Sequence, residues 1–137
     1  MANELAIMAV NDNNIGMSYC SIKPTGNRAD DARIFAALNN PTNNIADFIN
    51  KRLSIVNVLV EVREILNEDT GEVEAAPRVV LIDEKGESYQ AVSKGIFSAV
   101  QNAYTVFGEA PWNPPLQIEV KQKPVKRGSM LTFNVVG

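Results

Sequence analysis

Residues 53–66 narrow the fold more than any other stretch. They form the longest run of strand-forming residues, rich in β-branched side chains, with Val56, Val58, Val60 and Val62 on one face and Asn57, Glu61 and Arg63 on the other. Asn67-Glu-Asp-Thr-Gly71 reads as a hairpin loop, from which the chain returns as a strand through residues 79–82. Glu84-Lys85-Gly86 makes a second tight turn into a strand over 88–92. Three successive strands of this kind form an antiparallel meander.

The segments on either side fit around that meander. Ser93 can cap a helix over 94–107, where Ile96, Phe97, Val100, Tyr104 and Phe107 follow helical spacing and Gly108 marks the end. That periodicity assigns Tyr104 and Phe107 to the core. Strands are expected over 116–123 and 129–136, joined through 124–128. Upstream, apolar runs at 4–10 and 15–22 read as strands around the Asn/Asp cluster at 11–14. A helix over 29–38 carries Ile34, Phe35 and Leu38 on one face, with Asp30 and Asp31 in its first turn, and a shorter helix is expected over 44–50. Six or seven antiparallel strands with inserted helices predict one domain over 1–137. It is mainly β, and a small barrel of the oligonucleotide/oligosaccharide-binding (OB) type is the leading architecture, with a β-sandwich or another α+β fold as the alternative.

Composition limits the chemistry. With 137 residues, 45% hydrophobic and 21% charged, the chain reads as an ordinary globular protein large enough to bury about two thirds of its unfolded surface. Its start has an acid, Glu4, where a secretion signal needs bases, so a cytoplasmic protein without a membrane segment is expected. There is no histidine and only one cysteine, Cys20, which removes Ser-His and Cys-His catalysis and ordinary zinc sites. Asp83-Glu84-Lys85 matches the acid-x-Lys end of metal-dependent nuclease sites. With Gly86 behind it and no clearly placed upstream acid, the triplet reads instead as a hairpin tip. No enzyme activity, metal or other cofactor is expected.

The net charge of -3 argues against a protein that holds nucleic acid by bulk charge, so binding must come from segregated charge. Segregation is present: residues 68–87 hold seven acids against Arg78 and Lys85, whereas from residue 116 onward Lys121, Lys123, Lys126 and Arg127 face only Glu119. Just before that basic stretch, the only tryptophan, Trp112, lies between prolines. The Leu116, Ile118, Val120 alternation turns Lys121 and Lys123 to the opposite face of their strand. A rigid aromatic beside a row of cations suits an unpaired strand, because bases stack and phosphates attract lysine. The competing reading has Trp112 plugging the core and the lysines merely solvating an edge strand. On the long hairpin, Arg63, Arg78 and Tyr89 are expected to share a concave surface. Trp112 and Tyr89 are then the stacking candidates, and Lys121, Lys123, Lys126, Arg127, Arg63 and Arg78 the phosphate contacts.

The order of elements, and especially Arg78-Val-Val-Leu-Ile-Asp83, Ser88-Tyr-Gln-Ala-Val-Ser-Lys-Gly-Ile-Phe97, Phe107-Gly-Glu-Ala-Pro-Trp112, Pro115-Leu-Gln-Ile-Glu-Val-Lys121 and Gly128-Ser-Met-Leu-Thr-Phe133, resembles the small single-stranded-DNA-binding proteins of tailed bacteriophages, those of small phages of Gram-positive bacteria above all. The resemblance runs from about residue 29 onward. It implies an OB-like fold, sequence-tolerant binding, protection and melting of displaced strands during phage DNA replication in the host cytoplasm, possible contact with phage replication proteins, and no catalysis. Recruitment through an acidic tail is not expected, since residues 131–137 read as a strand. A phage structural or host-protein interaction module, with the Pro-Trp segment as its binding loop, is the reading from a different class.

Overall fold

In the computed structural model, which describes Leu5 and residues 8–23, 25–126 and 128–136, one long strand organises the sheet. β3 (Arg52–Leu66) pairs with β4 (Val73–Asp83) along one edge. Its other edge is shared between β1 (Ser18–Cys20), which lies against residues 59–61, and β6 (Leu116–Pro124), which lies against residues 52–55. With β2 (Asn43–Asn44), β5 (Ser88–Val92) and β7 (Ser129–Val135), the order is β2-β5-β4-β3-β6-β7, curled into a half-barrel of the OB-like kind.

A β-bulge decides which side chains face inward. Ile55 pairs with Asp83 and Asn57 with Ile82, so Val56 has no partner on β4 and the alternation slips by one residue. Leu53 and Ile55 therefore join Val58 and Val60 in the main core, Val62 is buried as well, and Val56 does not join them. On the opposite face Leu59, Val80 and Ile82 are buried beneath Ala37 of helix α1 (Arg28–Asn39), whose Asn27 cap accepts hydrogen bonds from the backbone of Ala29 and Asp30. Phe35, expected on the buried face of α1, is exposed.

Helix α2 (Lys94–Phe107) fills the concave side, with Ile96, Phe97, Val100, Ala103 and Tyr104 in the core. The Ser93 hydroxyl accepts from the Ile96 N–H at 3.1 Å, as the capping signal predicts. In that same first turn, a Cβ on Gly95 would collide with the Leu131 carbonyl oxygen, so α2 rests backbone to backbone on β7. Other expectations change in detail. Among the described residues of 4–10 there is no strand, only a buried Leu5 and an irregular 8–10, and the helix expected over 44–50 is a single 3-10 turn, Ile45–Phe48. β4 begins at Val73, before the anticipated strand over 79–82, because pairing with residues 62–66 carries Ala75, Ala76 and Pro77 into the ladder.

Candidate nucleic-acid interface

Trp112 is only 7% exposed. Its indole Nε1–H donates to the Gly108 carbonyl at 3.0 Å and its ring meets Tyr104 edge to face, with centroids 5.5 Å apart. Tyr104 in turn meets Tyr19 edge to face, their hydroxyls 2.9 Å apart. Burial, then the Tyr19 hydroxyl, pushes the Tyr104 phenol well above its ordinary range. Trp112 thus closes the end of the core. The expectation of a stacking platform is corrected here, since a ring packed this way has no free face for a base.

Tyr89 is corrected for a related reason. It is 4% exposed, packs edge to face on Phe48, and donates its hydroxyl to Asp83 Oδ2 at 2.9 Å and to Glu87 Oε2 at 3.2 Å. Burial and those two carboxylates raise its pKa, and the same carboxylates repel a phosphate. Asp83 also accepts from the backbone N–H groups of Lys85 and Glu87, both at 2.9 Å, so the acid-x-Lys triplet is a hydrogen-bonded turn. Among the described residues no three His, Cys, Asp or Glu side chains gather where a metal ion could sit.

Arg78 is 4% exposed and fully engaged. Its Nη1 donates to Glu61, its Nε and Nη2 to Gln90 Oε1 at 3.2 and 3.1 Å, and its Nη2 also to the Leu38 carbonyl at 2.7 Å. That carbonyl belongs to the last turn of α1, where the helix has no backbone donors left to offer, so the guanidinium fastens α1 to the sheet. The expectation of Arg78 as a phosphate contact is corrected accordingly. Arg63 is exposed but lies 3.4 Å from the same Glu61. Tyr89 pairs with Leu81 on the core face and Arg78 with Glu61 on the outer face, so Arg63, Arg78 and Tyr89 do not share one surface.

The cations of β6 and its hairpin are placed differently. Lys121 bonds Glu119 Oε2 at 3.1 Å and Asn50 Oδ1 at 3.3 Å. Lys123 and Lys126 are exposed and form no ion pair among the described residues. Arg127 lies outside the described residues.

Lys123 stands in a groove of about 300 Å³ between α2 and β7, lined also by Asn102, Phe107, Thr132 and Asn134. An adjoining hollow of about 470 Å³ shares Phe107 and Val135 with it and runs past Trp112 and Pro114 to Gln117. Among the described residues no Asp or Glu lines either one. Three other hollows of similar or larger size each carry acids: Glu109 in one, Asp30, Asp83 and Glu84 in the second, and Asp83, Glu84 and Glu87 in the third. In a chain with a net charge of -3, an acid-free groove is where a polyanion meets least repulsion.

Phe107, at 50% exposure, is another aromatic that sequence reasoning placed wrongly, here in the core. It keeps the helical spacing of the core residues, but it is the last residue of α2 and overhangs the core, with exposed Val106 beside it. Its position directly before Gly108 was the available signal.

No helix among the described residues is long and apolar enough to cross a membrane. A family model described as phage single-stranded DNA-binding protein matches residues 14–135, most of the chain. No curated protein and no solved structure matches it.

Proposed function

From the premise that this chain belongs to the phage single-stranded DNA-binding protein family, and so binds single-stranded DNA in phage DNA replication, we propose that the strand lies in the acid-free groove between α2 and β7. Phe107 supplies the stacking face. Lys123 and Lys126 hold phosphates at the hairpin end, with Lys121 and Arg127 beside them in sequence. Asn102, Thr132 and Asn134 offer hydrogen bonds to whatever polar edges pass.

The observation that carries this reading is the coincidence, in one groove without carboxylates, of a half-exposed aromatic ring and an unpaired lysine. Stacking on a phenyl ring is tolerant of sequence because every base has a π face, and lysine recognises the backbone alone. Both suit a protein that must coat whatever template is exposed.

Proteins of this family are in general non-enzymatic. We extend that to this chain: it shields a strand and melts its hairpins without cutting it, in the host cytoplasm and alongside the phage replication proteins. Titration of oligo(dT) into Phe107→Ala tests the site. Stacking is worth about 1–3 kcal/mol per base, so affinity falls by roughly 5- to 150-fold at an unchanged melting temperature. Unchanged affinity in the folded variant moves the strand to another face.

A further inference from the structure

Helix α2 breaks a rule that helix α1 keeps. The first turn of α1 carries Asp30 and Asp31, the charge that the positive end of a helix favours, whereas the first turn of α2 holds no acid and opens on Lys94. A cation there works against the helix macrodipole. Departures of this kind from a local stability rule concentrate at functional sites.

The departure stands at one end of the groove. Gly95, next in the chain, lines it, and a Cβ there would crowd the Met130 side chain as well as the Leu131 carbonyl. Met130 is paired in register with Lys123, which therefore sits one strand spacing, about 5 Å, beyond it. Lys94 and Lys123 thus flank the same end of the groove from opposite walls. Ser98, one turn on from Lys94 along the helix, also lines the groove. Lys94 is exposed and, like Lys123, forms no ion pair among the described residues. Neither α2 nor β7 contains an acid. The cations elsewhere are placed less favourably: Lys51, Arg52 and Lys85 share a hollow with Asp83, Glu84 and Glu87, whose carboxylates meet any anion that approaches.

We propose that Lys94 is a second phosphate contact at this end of the groove, completing with Lys123 a two-sided grip on the strand. Each ammonium is a compact charge on a flexible stem, so both follow a backbone held between α2 and β7 without regard to the bases. The arriving phosphate also brings the negative charge that the first turn of α2 lacks. The lysine costs the helix stability while the groove is empty, and the cost is offset when DNA is bound.

This inference rests on the groove reading above, so Phe107→Ala is carried through the same measurements and the two can fail separately. Oligo(dT) affinity per folded molecule is followed across a salt series for Lys94→Ala, for Lys94→Glu and, as a control of the same net charge, for Lys85→Glu. A phosphate contact to a single strand contributes about 0.7 to the logarithmic salt slope, so Lys94→Ala should be shallower by that amount and about fivefold weaker near 0.1 M salt. Lys94→Glu loses more affinity yet melts higher than the parent by about 2–4 °C. Lys85→Glu stays within about twofold, being screened from the groove by salt.

An unchanged slope in Lys94→Ala, or equal losses in the two charge reversals, overturns the contact. So does a lowered melting temperature in Lys94→Glu, which would mark the lysine as serving the helix. If Phe107→Ala weakens binding while Lys94→Ala does not, the groove stands and the contact alone falls. If neither weakens it, both fall.

Discussion

The backbone N–H of Trp112 donates to the carbonyl of Val56 at 2.9 Å, and Val56 is the residue that the bulge in β3 leaves without a partner on β4. The loop carrying the tryptophan is thereby stitched to the gap on β3 between β1 and β6, while the indole closes the core behind it.

Trp112→Ala is accordingly expected to act on the fold. Removing a buried indole leaves a cavity worth about 3–5 kcal/mol, visible as a lower midpoint in denaturant. Oligo(dT) affinity, measured where the variant is still folded, changes far less than in Phe107→Ala. A variant of undiminished stability that has lost DNA binding would return the tryptophan to the interface.

Much of the architecture was legible because several local signals agreed. For α2 the Ser93 cap, the 3.6-residue spacing and Gly108 coincide, and its bounds are those expected. The meander was legible from alternation and turn residues. Alternation cannot register an extra residue, however, so Val56 was grouped with Val58, Val60 and Val62. The site was less legible still. An arginine in a strand reads as solvated until Glu61, Gln90 and the Leu38 carbonyl are seen converging on it from β3, β5 and α1. Trp112 and Tyr89 were judged by the chemistry of their rings, which says nothing of which side of the sheet they take.

Replacing Lys123 and Lys126 together by Ala should weaken oligo(dT) binding evenly across sequences. It should also make the salt dependence shallower by about 1.4 in logarithmic slope, since each phosphate contact to a single strand contributes about 0.7. The thermal midpoint stays within a degree or two of the parent, because both side chains are exposed. An unchanged slope removes both lysines from the phosphate track.

Arg78→Met should destabilise the fold by about 2–4 kcal/mol. It strands the Glu61 carboxylate, the Gln90 carbonyl and the Leu38 carbonyl at once, though Glu61 retains some water. The loss is felt first at α1, so amide exchange should quicken in residues 28–39 more than in α2. DNA affinity per folded molecule is not expected to change. A large drop there, with stability kept, would restore Arg78 as a phosphate contact.

Alkali should weaken the fold. Tyr89 and Tyr104 hold their protons in the native state beyond the point, near pH 10, where an unfolded chain gives them up, burial being the first cause for both. The unfolded state then binds fewer protons, so stability is whole below about pH 10 and falls as pH rises through that value and beyond. The melting temperature followed from pH 7 to 11 should drop over the upper end of that range, and less steeply in a variant with both Tyr89→Phe and Tyr104→Phe. Phenolate absorbance should show these two of the three tyrosines ionising only as the chain unfolds. All three titrating together in folded protein would contradict this.

The missing side chain at Gly95 has a mechanical consequence. Because the first turn of α2 touches the Leu131 carbonyl with nothing between, the helix and the strand share a fulcrum there. Any change in their separation must grow with distance from that point, and the lever is longest at Phe107, on the last turn of α2. The groove is thus pinned at its Gly95 end, and a tilt of the helix would open it most at the Phe107 end.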